Sequence, residues 1–178
     1  RSNFAVAMKE LLSNVLDDIL ANVPKEKIDE RVSLFKRNMH NLSYEVMANP
    51  IGVKGIGKYI QKDEETSFAK YKKGAPVHVK AAINYNSLID HWYEGKRYEK
   101  ISNGTKIKWV YLKENTFGFD AIAFKGHEDP REILELIKNH IDHNKMYEQA
   151  MSKKLGMFYK AMHWGGVEDK TTSMNRFF

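Results

Sequence analysis

The stretch Gly52-Val53-Lys54-Gly55-Ile56-Gly57-Lys58-Tyr59 has the composition of a phosphate cradle. Glycines let backbone N–H groups approach an anion closely, and Lys54 and Lys58 supply the countercharge. It is not a P-loop: no Gly-Lys-Ser/Thr follows at the required spacing, and no buried strand precedes it. Gly55-Ile56-Gly57 also has the form of the hairpin in a helix-hairpin-helix DNA-binding motif. The plainer reading is a glycine-punctuated connector. Lys70, Lys72 and Lys73, then His78, Lys80 and Tyr85, interleave basic with aromatic or imidazole groups beside a predicted helix. Such groups bond phosphates from a strand edge and a helix N-terminus, or else point to water.

Other chemistries find less support. His140-Ile141-Asp142-His143 invites a metal reading, but two histidines three residues apart at a helix end bring no third ligand into register. Capping or surface roles suit them, and His78 and His163 are isolated. A polymerase or nuclease needs carboxylates placed to hold two metal ions. Asp17, Asp18, Glu64 and Glu65 fall on solvent faces or loops without that arrangement. No serine sits in a nucleophile-elbow context, and no dinucleotide fingerprint follows a strand. The expectation is a segment with no catalytic residues, no metal site and no cofactor of its own.

Charge sharpens the expectation. The 178-residue chain carries a net +6, placed unevenly. Seven lysines from Lys54 to Lys80 face Asp63, Glu64 and Glu65, a balance of +4; five lysines and Arg97 from Lys96 to Lys113 face Glu99, a balance of +5. A basic middle between balanced ends has the footprint of a polyanion partner, although a solvated surface would look the same. With no cysteine there are no disulfides, thiolate metal sites or thiol nucleophiles, which suits a reducing cytoplasm. No apolar run approaches the roughly 18 to 20 residues of a membrane helix, and the first residues, which enter an amphipathic pattern directly, are not expected to form a secretory leader. Arg1 stands where a start methionine would, which fits a piece of a longer chain.

The elements that must position these groups are legible from period and punctuation. Phe4, Met8, Leu11, Leu12, Val15 and Ile19 mark a first helix capped by Ser2 or Asn3. Asn22-Val23-Pro24 ends it, and Pro24 suits the first turn of a second. That helix carries Ile28, Val32, Phe35, Met39, Leu42 and Val46, so residues 3–48 read as an antiparallel helical hairpin. From Asn49-Pro50-Ile51-Gly52 to Gly74 the chain reads as irregular and basic. Val77-His78-Val79 reads as a short strand or extended entry to a helix over 81–93, with Ile83, Leu88, Ile89 and Trp92 as core. Asn103-Gly104 marks a tight turn before the alternating run 106–112, which pairs with 119–124 across Asn115–Gly118. Asp129-Pro130-Arg131-Glu132 has the form of a capping box for a helix bearing Ile133, Leu134, Ile137 and Ile141. A last helix spans about 145–162, and a flexible tail covers 166–178. The fold class is therefore α+β, mainly helical: helical hairpin, a basic loop and small β region over 49–125, then C-terminal helices over 129–163.

Five collinear pieces resemble the C-terminal thumb region of T-even-type bacteriophage family B DNA polymerases. Pro76-Val77-His78-Val79-Lys80-Ala81-Ala82-Ile83-Asn84-Tyr85-Asn86 resembles the thumb segment in which a basic residue precedes small residues and a Tyr-Asn or Tyr-Arg pair. Lys106 to Phe124, with Val110-Tyr111-Leu112 and Asn115-Thr116-Phe117-Gly118, is similar to the strand pair that follows. Ile141-Asp142-His143, Met146-Tyr147-Glu148 and Lys154-Leu155-Gly156-Met157 are similar to the last helices, and Asn38 to Tyr59 to the join between hairpin and basic loop. Lys80 and Ala81 depart from the family's arginine and glycine, which bears on the details of the phosphate contact.

The resemblance implies one thumb domain over 1–165, gripping the primer–template duplex by its backbone and minor groove. The contacts expected are Lys54, Lys58, Lys72, Lys73, His78, Lys80, Tyr85, Asn86, Lys106 and Lys108. The family's catalytic aspartates and Mg²⁺ belong to the palm, so nucleotidyl transfer would be a property of the whole polymerase. Implied partners are the palm, fingers and exonuclease parts, joined to this piece in one chain or separately encoded, and a sliding clamp. The implied location is the cytoplasm of an infected bacterium. Met174, Phe177 and Phe178 are similar in spacing to the clamp-binding peptide, with Thr171 in place of its glutamine. Two further classes stay open: a stand-alone nucleic-acid-binding protein using the Gly55–Gly57 loop, and an interaction module whose basic face meets an acidic protein.

Overall fold

The computed structural model describes residues 3–66, 68–94 and 96–169. It is a mainly helical α+β protein whose chain divides into two compact units: residues 3–47 with 143–169, and residues 48–142. No helix among the described residues is long and apolar enough to cross a membrane.

The first unit opens with the expected helical hairpin. α1 (Val6–Leu20) buries Ala7, Met8, Leu11 and Val15, and α2 (Lys25–Asn38) buries Ile28 and Val32. The spacings of three and four put each set on one helix face. Ala5, not Ser2 or Asn3, precedes the first turn. α1 stops where Asn22 takes φ 57°, a left-handed conformation asparagine tolerates, and the Val23 N–H reaches back to the Asp18 carbonyl at 2.9 Å. The second helix is shorter than its apolar spacing implies. A 3₁₀ turn (Met39–Asn41) follows α2, and Ser43 accepts the Glu45 N–H at 3.1 Å to open the short α3 (Tyr44–Met47). A serine hydroxyl competes with the helical ladder in this way. The core position expected of Val46 passes to Met47, which is buried.

The C-terminal helix is also interrupted. α7 (His143–Tyr147) runs into a wide π turn (Glu148–Ser152) and on into α8 (Lys153–Ala161). Tyr147, Met151, Leu155 and Tyr159 are all buried at an unbroken spacing of four. In a 3.6-residue helix that spacing drifts about 40° per step, and the wider turn takes up the drift. The expected tail boundary at residue 166 is corrected. The Gly166 carbonyl accepts Lys25 Nζ at 3.2 Å, Val167 is buried, and the buried Asp169 accepts Arg37 Nη1 at 2.8 Å. The chain is held as far as Asp169 because two α2-side cations and an apolar slot receive it. Lys25 also meets Asp29 at 2.6 Å, and Asp29 accepts the Tyr159 hydroxyl at 2.5 Å.

The second unit is built on a three-stranded antiparallel sheet in the order β1 (Asn49–Gly52), β4 (Lys106–Tyr111), β5 (Ala121–Phe124). β4 and β5 pair as the sequence implies, with Trp109 opposite Ala123. Residues 49–52, expected to be irregular, are instead an edge strand. Pro50 is compatible with that place because an edge residue need not donate on its outer side. The basic stretch also holds a one-turn helix α4 (Ile56–Tyr59) and a two-stranded ribbon, β2 (Ile60–Gln61) with β3 (Lys70–Tyr71).

α5 (Val77–Tyr93) packs along β5 and buries Val79, Ile83, Tyr85, Leu88 and Ile89. The expected strand at Val77-His78-Val79 is its first turn: the Pro76 carbonyl accepts both the Val79 and the Lys80 N–H at 3.1 Å. Burial of Val79 and Ile83 on one face outweighs the weak strand preference of the valines. Trp92, expected in the core, is only half-buried and meets Phe117 edge-on. α6 (Arg131–His140) starts where expected, but no side chain caps it. It belongs with the sheet unit, where Ile141 bridges to Leu112.

Candidate nucleic-acid interface

β4 alternates Lys106, Ile107, Lys108, Trp109, with Ile107 and Trp109 buried and Lys106 exposed. Alternation puts Lys106 and Lys108 on the opposite sheet face from the two apolar residues. On that face the register sets Gly52 opposite Lys106, and Pro50 and Phe124 opposite Lys108. Gly52 leaves Lys106 exposed at the β1 edge, whereas Lys108, between Pro50 and Phe124, is half-buried.

Lys54 extends the row. The ladder continues past β1, since the Val53 N–H bonds the Thr105 carbonyl at 3.1 Å and the Gly104 N–H bonds Val53 at 2.8 Å. Lys54 therefore leaves the sheet beside the 102–105 turn and is exposed. Asn103 Oδ1 then accepts the Ile56 N–H at 3.1 Å, tying the Gly55 turn to the same corner. Gly55 has φ 91°, a conformation glycine adopts without cost, and opens α4 with Lys58 exposed on it. This geometry differs from a helix-hairpin-helix: an edge strand precedes Gly55 and a single helical turn follows it.

The second basic group is organised by a residue that sequence reasoning passed over. Tyr71 on β3 bonds Asn84 Oδ1 through its hydroxyl, and Asn84 Nδ2 donates to the Ala121 carbonyl of β5 at 2.8 Å. Lys80, one turn before Asn84, holds its Nζ 5.7 Å from the centre of the Tyr71 ring. Burial pushes the Tyr71 hydroxyl up to about 12, so it remains a proton donor at neutral pH. The β2–β3 ribbon, α5 and β5 are thus locked together under Lys80. Lys72 follows β3, its N–H bonded to the Tyr59 carbonyl at 2.8 Å, and Lys72 and Lys73 are both exposed. The signal for Asn84 was its distance of four from Lys80; the signal for Tyr71 was absent, because a two-residue strand leaves no period.

The lysines differ in their partners. Lys70 pairs with Asp63 at 3.1 Å, Lys100 with Asp90 at 2.9 Å and Lys96 with Glu94 at 3.7 Å. Among the described residues, Lys54, Lys58, Lys72, Lys73, Lys80, Lys106 and Lys108 form no ion pair. The same holds among the described residues for Lys62, Lys113, Lys125 and Lys138 of this unit.

Two expected contacts, Tyr85 and Asn86, are corrected. Tyr85 is fully buried, and its hydroxyl donates to Asp129 Oδ1 at 2.9 Å. Asp129 also accepts the Lys125 and Gly126 N–H groups at 2.9 and 2.8 Å, so it closes the turn after β5 and is not the helix cap its position implies. Asn86 spends its amide on the backbone of Ile101, accepting at 2.7 Å and donating at 2.8 Å. His78 is half-buried, and burial holds its imidazole below the ordinary value. At neutral pH it offers a hydrogen bond and no charge. The clamp-peptide residues Met174, Phe177 and Phe178 lie outside the described residues. No group of three or more His, Asp or Glu that could hold a metal occurs among the described residues.

Comparison with protein-family models and with curated proteins finds no match to this chain.

Proposed function

We propose that the sheet unit grips duplex DNA by its phosphate backbone, as the thumb part of a family B DNA polymerase whose catalytic palm lies elsewhere. The observation that carries the reading is the exposure of Lys54, Lys58, Lys72, Lys73 and Lys106 in one unit, none with an ion pair among the described residues, with Lys106 and Lys108 on one sheet face. Unpaired cations on a rigid sheet are pre-organised for phosphate and cost no broken ion pair on binding. The exposed basic groups lie on strands, turns and a helix start, an arrangement suited to backbone contact and not to reading base edges. The sequence resemblance to phage polymerase thumbs supplies the duplex and the polymerase context.

A labelled primer–template titrated at several salt concentrations tests the proposal. Affinity falls linearly on a log–log plot, with a slope of about −0.9 per phosphate neutralised. Lys106→Gln/Lys108→Gln shallows that slope by about 1 for each lysine that contacts phosphate. Salt-independent binding, strong sequence selectivity or an unchanged slope in the double variant would overturn it. On the same reading the chain alone incorporates no nucleotide with Mg²⁺ present, and Met174, Phe177 and Phe178 tether the polymerase to its sliding clamp. Deleting residues 174–178 is expected to abolish clamp capture and leave duplex affinity unchanged.

A further inference from the structure

α1 has a second apolar face. Its core face carries Met8, Leu11 and Val15, whereas Leu12, Leu16 and Leu20 recur every fourth residue on another side. Leu16 is 43% exposed and Leu20 73% exposed. Three leucines in a row along about two turns are more than the scattered apolar residues of an ordinary surface. The stripe begins in a groove of about 430 Å³ lined by Phe4, Lys9, Leu12, Lys154, Met157 and Phe158, where Met157 of α8 is 56% exposed. The ionic groups lining this groove are both cations, and Lys154 Nζ lies 5.8 Å from the centre of the Phe4 ring. Toward the other end of the stripe, exposed Asp17 follows Leu16 and lies three residues before Leu20.

From this we infer a docking surface for an amphipathic helix of a partner protein. Its apolar face covers Leu12, Leu16 and Leu20, and its acidic end lies over Lys9 and Lys154. Helix-in-groove recognition uses anchors at this spacing, and the rim charges select the sequence that carries them. Aliphatic anchors favour a helix over nucleic-acid bases, which stack on aromatic faces. Asp17 opposes any uniformly anionic partner, whether a bilayer or a phosphate backbone. The inference does not rest on DNA binding by the sheet unit, since it involves none of those lysines.

The test uses the full chain and a fluorescent helical peptide with leucines on one face, glutamates at one end and lysines at the other. A control peptide replaces the glutamates by lysine. The first peptide is expected to bind at least about tenfold more tightly than the control. Leu16→Glu/Leu20→Glu, at exposed positions, is expected to weaken that peptide by about tenfold or more with an unchanged circular dichroism spectrum. Lys9→Glu/Lys154→Glu is expected to remove the preference for the acidic end. Absence of binding, equal affinity for both peptides, or full affinity in the leucine variant overturns the inference. So does anionic vesicle binding that the leucine variant loses, which would assign the face to a membrane. Primer–template affinity, measured in parallel, reports on the sheet unit alone and stays unchanged in these variants.

Discussion

Two buried tyrosines show how one hydroxyl can have opposite effects on stability. The Tyr85 hydroxyl donates to Asp129, a carboxylate that also holds two backbone N–H groups of the turn after β5. Tyr85→Phe leaves the ring's packing intact and removes one charge-assisted bond, so unfolding in urea should show a loss of about 1–3 kcal/mol with DNA affinity unchanged. The Tyr147 hydroxyl is buried with no hydrogen-bond partner among the described residues, while its ring meets Phe35 and the Lys36 ammonium. Tyr147→Phe relieves that desolvation and should be neutral or stabilising by up to about 1 kcal/mol in the same experiment. If both substitutions destabilise equally, the hydroxyl of Tyr147 has a partner. At this scale the sequence was least legible. Tyr85 and Asn86 look available in a line of residues, but a helix buries or commits one face, and which face depends on the sheet it meets.

At the scale of elements, the sequence carried the long periods well and the short ones poorly. The α1–α2 hairpin, the β4–β5 pair and α6 follow directly from spacing and turn residues, because each has enough residues to set a period. β1, β2, β3 and α4 have two to four residues each, and their existence depends on partners distant in the chain. Gly55 marks the corner joining them. At φ 91° any side chain is strained, and a methyl group there would stand 3.4 Å from the Tyr59 ring. Gly55→Ala is expected to cost about 1–2 kcal/mol in urea unfolding. Asn103→Ala, which frees the Ile56 N–H, should lower duplex affinity together with stability if this corner aims Lys54 and Lys58. Of the candidate interface, the lysines themselves were legible as charge. Their lack of partners was not, since ion pairing is decided by packing.

For the whole molecule, the buried tyrosines set an alkaline limit. Burial raises Tyr71 and Tyr147 to about 12, and burial together with Asp129 and Asp29 raises Tyr85 and Tyr159 further. A folded-state value above the unfolded value of about 10 means this contribution is complete below pH 10 and is lost as pH climbs through the folded values. Phenolate absorbance should therefore include a late, cooperative stage that coincides with loss of helical circular dichroism. A single stage completed before the helix signal falls would show that the buried hydroxyls reach solvent in the folded protein.

The π turn has an evolutionary corollary. Removing one residue from Glu148–Ser152 would change the buried spacing from four-four-four to three-four-four, which a regular α-helix keeps on one face without help. The site is thus a place where this helix can lose a residue without exchanging its core, and a homologue one residue shorter here would need no compensating change elsewhere. Deleting the exposed Gln149 should give a folded protein with helix content equal to or above that of the parent.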